Sequence, residues 1–216
     1  MIQVLVQNLG ALWHGLLTTL ALTGLAFAGA LVLGTVMAVF RVSPIAPLRV
    51  IGAVFVELLR NVPLLSLLIL FAYGLPYLGV SMSLFTTAVV CLLLVSASFV
   101  CEAVRGGINA VPVGQAEAAR AIGLSFLPTI TTIVLPQAFR GAIAPLGNTL
   151  IALTKNTTVL ATIGVAEPAL MMRNMLEFNS SLLFAIFFIM AAGFVILTLP
   201  MGIFFTWWSR KLAVQR

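Results

Sequence analysis

Residues 61–101 carry no charged side chain, a run of 41 residues. No other feature constrains the chain so tightly. A helix crossing hydrocarbon needs ~20 apolar residues, so the run is too long for one crossing and too apolar for a surface in water. Gly74-Leu75-Pro76-Tyr77-Leu78-Gly79 interrupts it. Gly and Pro are the strongest local breakers, so one helix is predicted to end near 75 and another to start near 83. Residues 15–40 and 178–209 are also uncharged. Residues 141–154 are uncharged but short, and their apolar pattern continues past Lys155. Five spans follow, at about 12–40, 51–75, 83–104, 138–162 and 181–207.

Composition agrees. The chain is 62% hydrophobic and 7% charged, with mean hydropathy +1.22. A soluble domain carries ~25% charged residues, so these 216 residues cannot solvate a globular surface. The expected class is an all-α polytopic membrane protein, a single transmembrane domain over residues 1–216. The net charge of +6 is spread over short loops with no basic, aromatic-laced run, which speaks against nucleic acid. Cys91 and Cys101 are ten residues apart on one predicted helix, or ~15 Å of rise, too far for a disulfide between them. No Lys or Arg precedes Arg41, so the chain is expected to enter the membrane with an uncharged head and no cleaved leader.

Loop charge sets the orientation. With the N-terminus outside, the inner segments hold Arg41, Arg49, Arg105, Arg120, Arg140, Arg210, Lys211 and Arg216, and the outer ones hold only Arg173. Eight against one is a strong positive-inside bias. The C-terminus is then inside, with Trp207 and Trp208 at the inner interface. The segment 163–180 is the one sizeable polar loop expected outside.

The inner loop of about 105–137 has the most distinctive chemistry. Pro112 suits a helix start, and Ala116-Glu117-Ala118-Ala119-Arg120-Ala121 is strongly helix-forming. Gly123 suits its C-terminal stop. A second short helix, about 126–134, is predicted to end at Pro136. Alanines permit close approach of a partner, and Glu117 and Arg120 offer opposite charges to orient it. An interfacial hairpin with no partner is the plainer reading of helix propensity alone.

The joint spacing goes further. Glu117-Ala118-Ala119, three residues, Gly123, nine residues, then Ile133-Val134-Leu135-Pro136 resembles the cytoplasmic coupling loop of ATP-binding-cassette importer permeases. Glu57-Leu58-Leu59-Arg60-Asn61-Val62-Pro63-Leu64 and Glu102-Ala103-Val104-Arg105-Gly106-Gly107-Ile108 resemble segments of the polar amino-acid branch. So do Leu146-Gly147-Asn148 and Lys155-Asn156-Thr157-Thr158. The likeness is strongest to actinobacterial glutamate uptake permease subunits. It implies a type I importer permease fold in the bacterial plasma membrane. The implied partners are a homologous second permease, two cytoplasmic ATPase subunits and an extracytoplasmic amino-acid binding protein. It also implies that ATP and Mg are bound by the ATPase and no cofactor by this chain, which performs no catalysis. No G-x-x-x-x-G-K-[ST] phosphate loop occurs here. ATPase coupling would fall to Gln115, Glu117, Ala118, Ala119, Arg120, Gly123, Leu135 and Pro136.

Ionisable residues within spans are functional candidates because burying them in hydrocarbon is costly. Glu57 and Arg60 stand at i and i+3 and can pair, either as a structural pair near the inner interface or beside the pathway. Glu102 and Arg105 repeat that spacing and are expected to anchor the start of the coupling loop. Lys155 has no acid within four residues. It either lines the substrate pathway with Asn156, Thr157 and Thr158 or snorkels to the outer headgroups. Many relatives read K-D-T-S here, so Asn156 removes an acid that would repel an anionic substrate. His14 is an interfacial residue without a second His to build a metal site, and Met171 and Met172 are expected to be packing or loop contacts rather than ligands. The function expected is import of an amino acid, glutamate first. Alternatives are glutamine or aspartate as substrate, an ion-coupled secondary transporter subunit, or a membrane enzyme. The last would need clustered acids or histidines that this chain lacks.

Overall fold

The computed structural model describes residues 2–212; Arg216, counted among the expected inner basic residues, lies outside them. Among the described residues every regular element is helical. The helices are α1 (Ile2–Val42), α2 (Ala46–Asn61), α3 (Leu64–Ile69), α4 (Leu84–Ala110), α5 (Val113–Ala121), α6 (Phe126–Pro128), α7 (Leu135–Asn156), α8 (Pro168–Phe178) and α9 (Leu183–Leu212). Three are long and apolar enough to cross a membrane by themselves: Asn8–Val42, Leu84–Ala110 and Ser180–Leu212. Two bent pairs bring the number of spans to five if each pair is one span.

The expected helix 51–75 is not continuous. It is broken at Val62–Pro63 into α2 and α3. Pro63 lacks an N–H and forces an extended backbone, and it sits at φ −60°, ψ 134° as the N-cap of α3. The Gly74–Gly79 break falls where expected. A π turn (Leu70–Gly74) and a 3-10 turn (Leu75–Leu78) end α3, and Gly79 at φ 78° closes them. The Ser83 hydroxyl then accepts from the Thr86 N–H at 3.1 Å, starting α4.

A second correction concerns Pro136. It ends no short helix. Helix runs on from Phe126 through a π turn (Thr129–Val134) into α7 and a 3-10 extension (Thr157–Ile163). Pro136 stands in the first turn of α7, where the widened turn before it accommodates the missing N–H. The third correction is α8. The expected outer loop 163–180 contains a helix of 11 residues.

The chain forms two compact units. One comprises Met1–Ala28, Val62–Leu94 and Leu150–Pro200. Its interior holds Leu22, Leu68, Leu92, Leu153 and Leu160 with the hydroxyl residues Thr19, Thr87, Thr154 and Thr157. Met175, Ile186 and Met190 form a further apolar cluster with Leu12, Met172, Leu176 and Leu182 around it. The other unit comprises Gly29–Asn61, Val95–Thr149 and Met201–Arg216. Its interior is small-residue packing: Ala30, Ala38, Ala97, Cys101, Ala138 and Ala142 are buried. Between helices in a membrane, such residues let backbones approach closely. A side chain at Gly107 would run into the Ala138 carbonyl, so that contact between α4 and α7 requires glycine. Cys91 and Cys101 are both free and buried on α4. In contrast, α9 shows Phe184, Phe188, Ile196 and Ile203 on its surface, each more than 60% exposed. Water solvates such a face badly; lipid or an apolar partner does not.

Candidate functional site

The loop singled out by its EAA spacing is an ordered corner. Pro112 caps α5 with an extended backbone (φ −56°, ψ 130°), and the Gln115 N–H donates to its carbonyl at 3.0 Å. Alanine content then carries the helix to Ala121. The stop is a Schellman closure: the Leu124 N–H donates to the Ala119 carbonyl (3.1 Å) and the Gly123 N–H to the Arg120 carbonyl (3.0 Å). Gly123 adopts φ 89° to make it, a left-handed conformation that other L-residues enter at a cost of ~1–2 kcal/mol. Two residues later Ser125 opens the helical run to Ile163, with its carbonyl accepting from the Thr129 N–H and hydroxyl.

Burial divides the coupling candidates. Ala119 is buried and belongs to the chain's own packing, and Leu135 is half-buried. Gln115, Glu117, Ala118, Arg120, Gly123 and Pro136 are exposed. Val113, Ile122 and Leu127 stand with them, 71%, 80% and 61% exposed. Among the described residues Glu117 and Arg120 enter no ion pair. The corner thus presents an apolar rim and two unspent opposite charges on a rigid helix.

The intramembrane charges are arranged differently from the simple i, i+3 expectation. Glu57 and Arg60 do not pair. Both are exposed, the Arg60 guanidinium lies 5.5 Å from the centre of the Phe99 ring, and the Glu57 carbonyl accepts from the Asn61 amide. Stacking a guanidinium on an aromatic face replaces the ion pair. Glu102 and Arg105 do pair, at 2.6 Å. Arg41, 61 residues before Glu102, donates to the other carboxylate oxygen. That third member was invisible in the sequence because nothing local connects α1 to α4.

Lys155, Asn156, Thr157 and Thr158 lie together where α7 tightens into the 3-10 turn at Thr157. Lys155 is exposed, and Asn156 and Thr158 are half-buried. The Thr158 hydroxyl donates to the Lys155 carbonyl at 2.8 Å. Thr157 is fully buried, and its hydroxyl donates to the Thr154 carbonyl at 2.8 Å. The hydroxyls therefore satisfy the helix end, while Lys155 enters no ion pair among the described residues. Glu57 and Arg60 belong to the other compact unit.

Sequence reasoning passed over Glu167. It is fully buried, and its two oxygens accept from the Ala169 and Leu170 N–H groups, both at 2.9 Å. It is the N-cap of α8, with Pro168 in the first turn. Burial pushes its carboxyl up from the usual range, and the two N–H bonds pull it the other way. An acid before a proline is a helix-start signal that could have predicted α8.

Comparison with known proteins bears on this arrangement. Residues 30–214 match the family described as "Binding-protein-dependent transport system inner membrane component". The chain is 43% identical to the glutamate transport system permease protein GluC of Corynebacterium glutamicum, the match covering 92% of each. It is 35% identical to the probable glutamine ABC transporter permease protein GlnM of Bacillus subtilis, over 98% of this chain and 97% of that one. Among solved structures, an amino acid ABC transporter crystallised with histidines superposes with a TM-score of 0.85 at 29% identity, covering 96% of each chain. These likenesses run the length of the chain and take in both the exposed corner and the end of α7, so the protein belongs to the family of binding-protein-dependent transport system inner membrane components.

Proposed function

We propose that this chain is a membrane-spanning permease subunit of an ATP-driven amino-acid importer, with glutamate as its substrate. It works with a homologous second permease, two cytoplasmic ATPase subunits that bind ATP and Mg, and an extracytoplasmic binding protein. The chain itself binds no cofactor and catalyses nothing. Residues 1–216 act as one transmembrane domain of five spans, the second broken at Val62–Pro63 and the fourth lying at about 138–162, with the N-terminus outside and the C-terminus inside.

The observation that carries the reading is the corner at α5. It is short, rigid and closed by Gly123, and its exposed face holds Gln115, Glu117, Ala118 and Arg120. It passes through Ser125 into the helical run from Phe126 to Ile163, which carries Lys155. A push on α5 by an ATPase would enter the chain through the helix that follows it, which suits alternating access. The relatives named for glutamate and glutamine transport support a polar amino acid. Lys155 without a local acid, followed by Asn156, supports an acidic one. The deciding experiment is uptake of labelled glutamate, glutamine and aspartate by cells in which this gene is deleted and restored. Glutamate uptake should be lost and regained with the gene; loss of none of the three would overturn the assignment.

A further inference from the structure

We propose that Arg41 is a positioning residue for coupling: with Glu102 and Arg105 it yokes the last turn of α1 to the helix that leads into the α5 corner. The inference rests on the coupling role proposed above for that corner. Glu102 divides its two oxygens, accepting from Arg41 Nη1 on Oε1 and from Arg105 Nη2 on Oε2 at 2.6 Å. The side chains are 19%, 25% and 34% exposed for Arg41, Glu102 and Arg105, so water competes only partly for the charges. The stem of Arg41 is backed by α2: a methyl group added to Gly52 would lie 2.7 Å from Arg41 Cγ. Two residues past Arg105, Gly107 abuts the Ala138 carbonyl at the start of α7. The ends of α1 and α4 and the start of α7 are therefore tied together on either side of α5. Glu102 stands ten residues before Pro112, about three helical turns from the corner, so a displacement of α5 is felt at Arg41.

The charges are unequal, which makes the role testable. One carboxylate serves two cations. Removing Arg41 leaves the neutral Glu102–Arg105 pair intact and removes only the charged tie to α1, whose close packing on α4 at Gly34 remains. Removing Glu102 instead leaves two guanidinium groups without a counterion, a folding lesion of the kind that breaking a buried pair produces. Arg41→Gln is therefore the informative variant, with Arg41→Lys beside it because lysine keeps the charge but not the planar fork.

The test uses the full transporter, purified with its ATPase and reconstituted in vesicles. Substrate uptake and ATP hydrolysis are measured per assembled complex, with whichever of glutamate, glutamine or aspartate the wild type takes up. Arg41→Gln should hydrolyse ATP at near the wild-type rate while transport per ATP falls roughly tenfold, the equivalent of one lost charge-assisted hydrogen bond. Arg41→Lys should fall between the two, and is read alone if Arg41→Gln does not assemble. Unchanged transport per ATP in the variant that assembles would overturn the yoke. So would transport and hydrolysis falling in parallel, which is what a merely structural role produces. Glu117→Lys runs beside them. If it uncouples while the Arg41 variants are normal, the yoke alone fails. If Glu117→Lys and Gly123→Val both transport normally, the coupling assignment fails with it.

Discussion

At the end of α7 a lysine without a local acid is followed by Asn156. In a low-dielectric setting charge pairing is stronger than in water, so an exposed ammonium there attracts a carboxylate. Asn156 hydrogen-bonds either sign of group without repelling an anion. Asn156→Asp should therefore weaken glutamate uptake more than glutamine uptake. Lys155→Met should lower both, glutamate by about tenfold if one charge pair of roughly 1.4 kcal/mol is lost. The check is uptake of each amino acid at matched permease levels. Equal loss for both substrates would make Lys155 a snorkelling residue and move selectivity elsewhere. Glu167 supports a second expectation at this scale. Glu167→Ala removes both bonds to the Ala169 and Leu170 N–H groups and should cost about 1 kcal/mol or more of stability, the usual value of an N-cap. Glu167→Gln keeps one acceptor oxygen and should cost less. Thermal unfolding of the purified protein in detergent compares the two, and equal melting points for Ala and wild type would remove the cap from any structural role.

Among the elements, those fixed by local chemistry were legible and those fixed by distant packing were not. The breaks at Gly74–Gly79 and Gly123 follow from residues that cannot continue a helix. So does the start of α5 at Pro112. Pro136 misled because a proline in the first turn of a helix is as well placed as one beyond its end, and only the π turn at Thr129–Val134 decides between them. Arg60 turned to Phe99 and Glu102 to Arg41 for the same reason: partners from another helix outbid the i, i+3 neighbour or share it. The α5 corner was legible because the chemistry that shapes it is local. Its test is also local. Gly123→Val places a β-branched residue at φ 89°, and Gly123→Asn places one that tolerates the left-handed region. Val should abolish ATPase association or transport while Asn retains part of it, and Glu117→Lys should weaken association by reversing an exposed charge. Co-purification of the ATPase with the tagged permease reads both. Full association and transport with Gly123→Val would deny the corner its role.

For the whole molecule, the proposed orientation rests on charge rather than on packing. The segments proposed for the inner side hold Arg41, Arg49, Arg105, Arg120, Arg140, Arg210, Lys211 and Arg216, against Arg173 outside. Such a bias in short loops sets topology because cationic segments resist translocation. Two features of the structure fit it. Lys211 lies 5.1 Å from the centre of the Trp207 ring at the end of α9, an aromatic–basic pairing suited to a membrane interface. Two of the arginines proposed for the inner side, Arg41 and Arg105, converge on Glu102, so the ends of α1 and α4 that carry them lie on the same side. A cysteine at an exposed site in α5 therefore reports the side directly. Gln115 is exposed, and the two native thiols, Cys91 and Cys101, are buried and can be replaced to leave no background. Gln115→Cys should react with a membrane-impermeant maleimide only after the cytoplasmic face is opened, as in inverted vesicles. A cysteine replacing exposed Arg173 in α8 should react in intact cells stripped of their outer barrier. Labelling of position 115 from outside would invert every span, place the proposed coupling corner away from ATP, and remove the function with it.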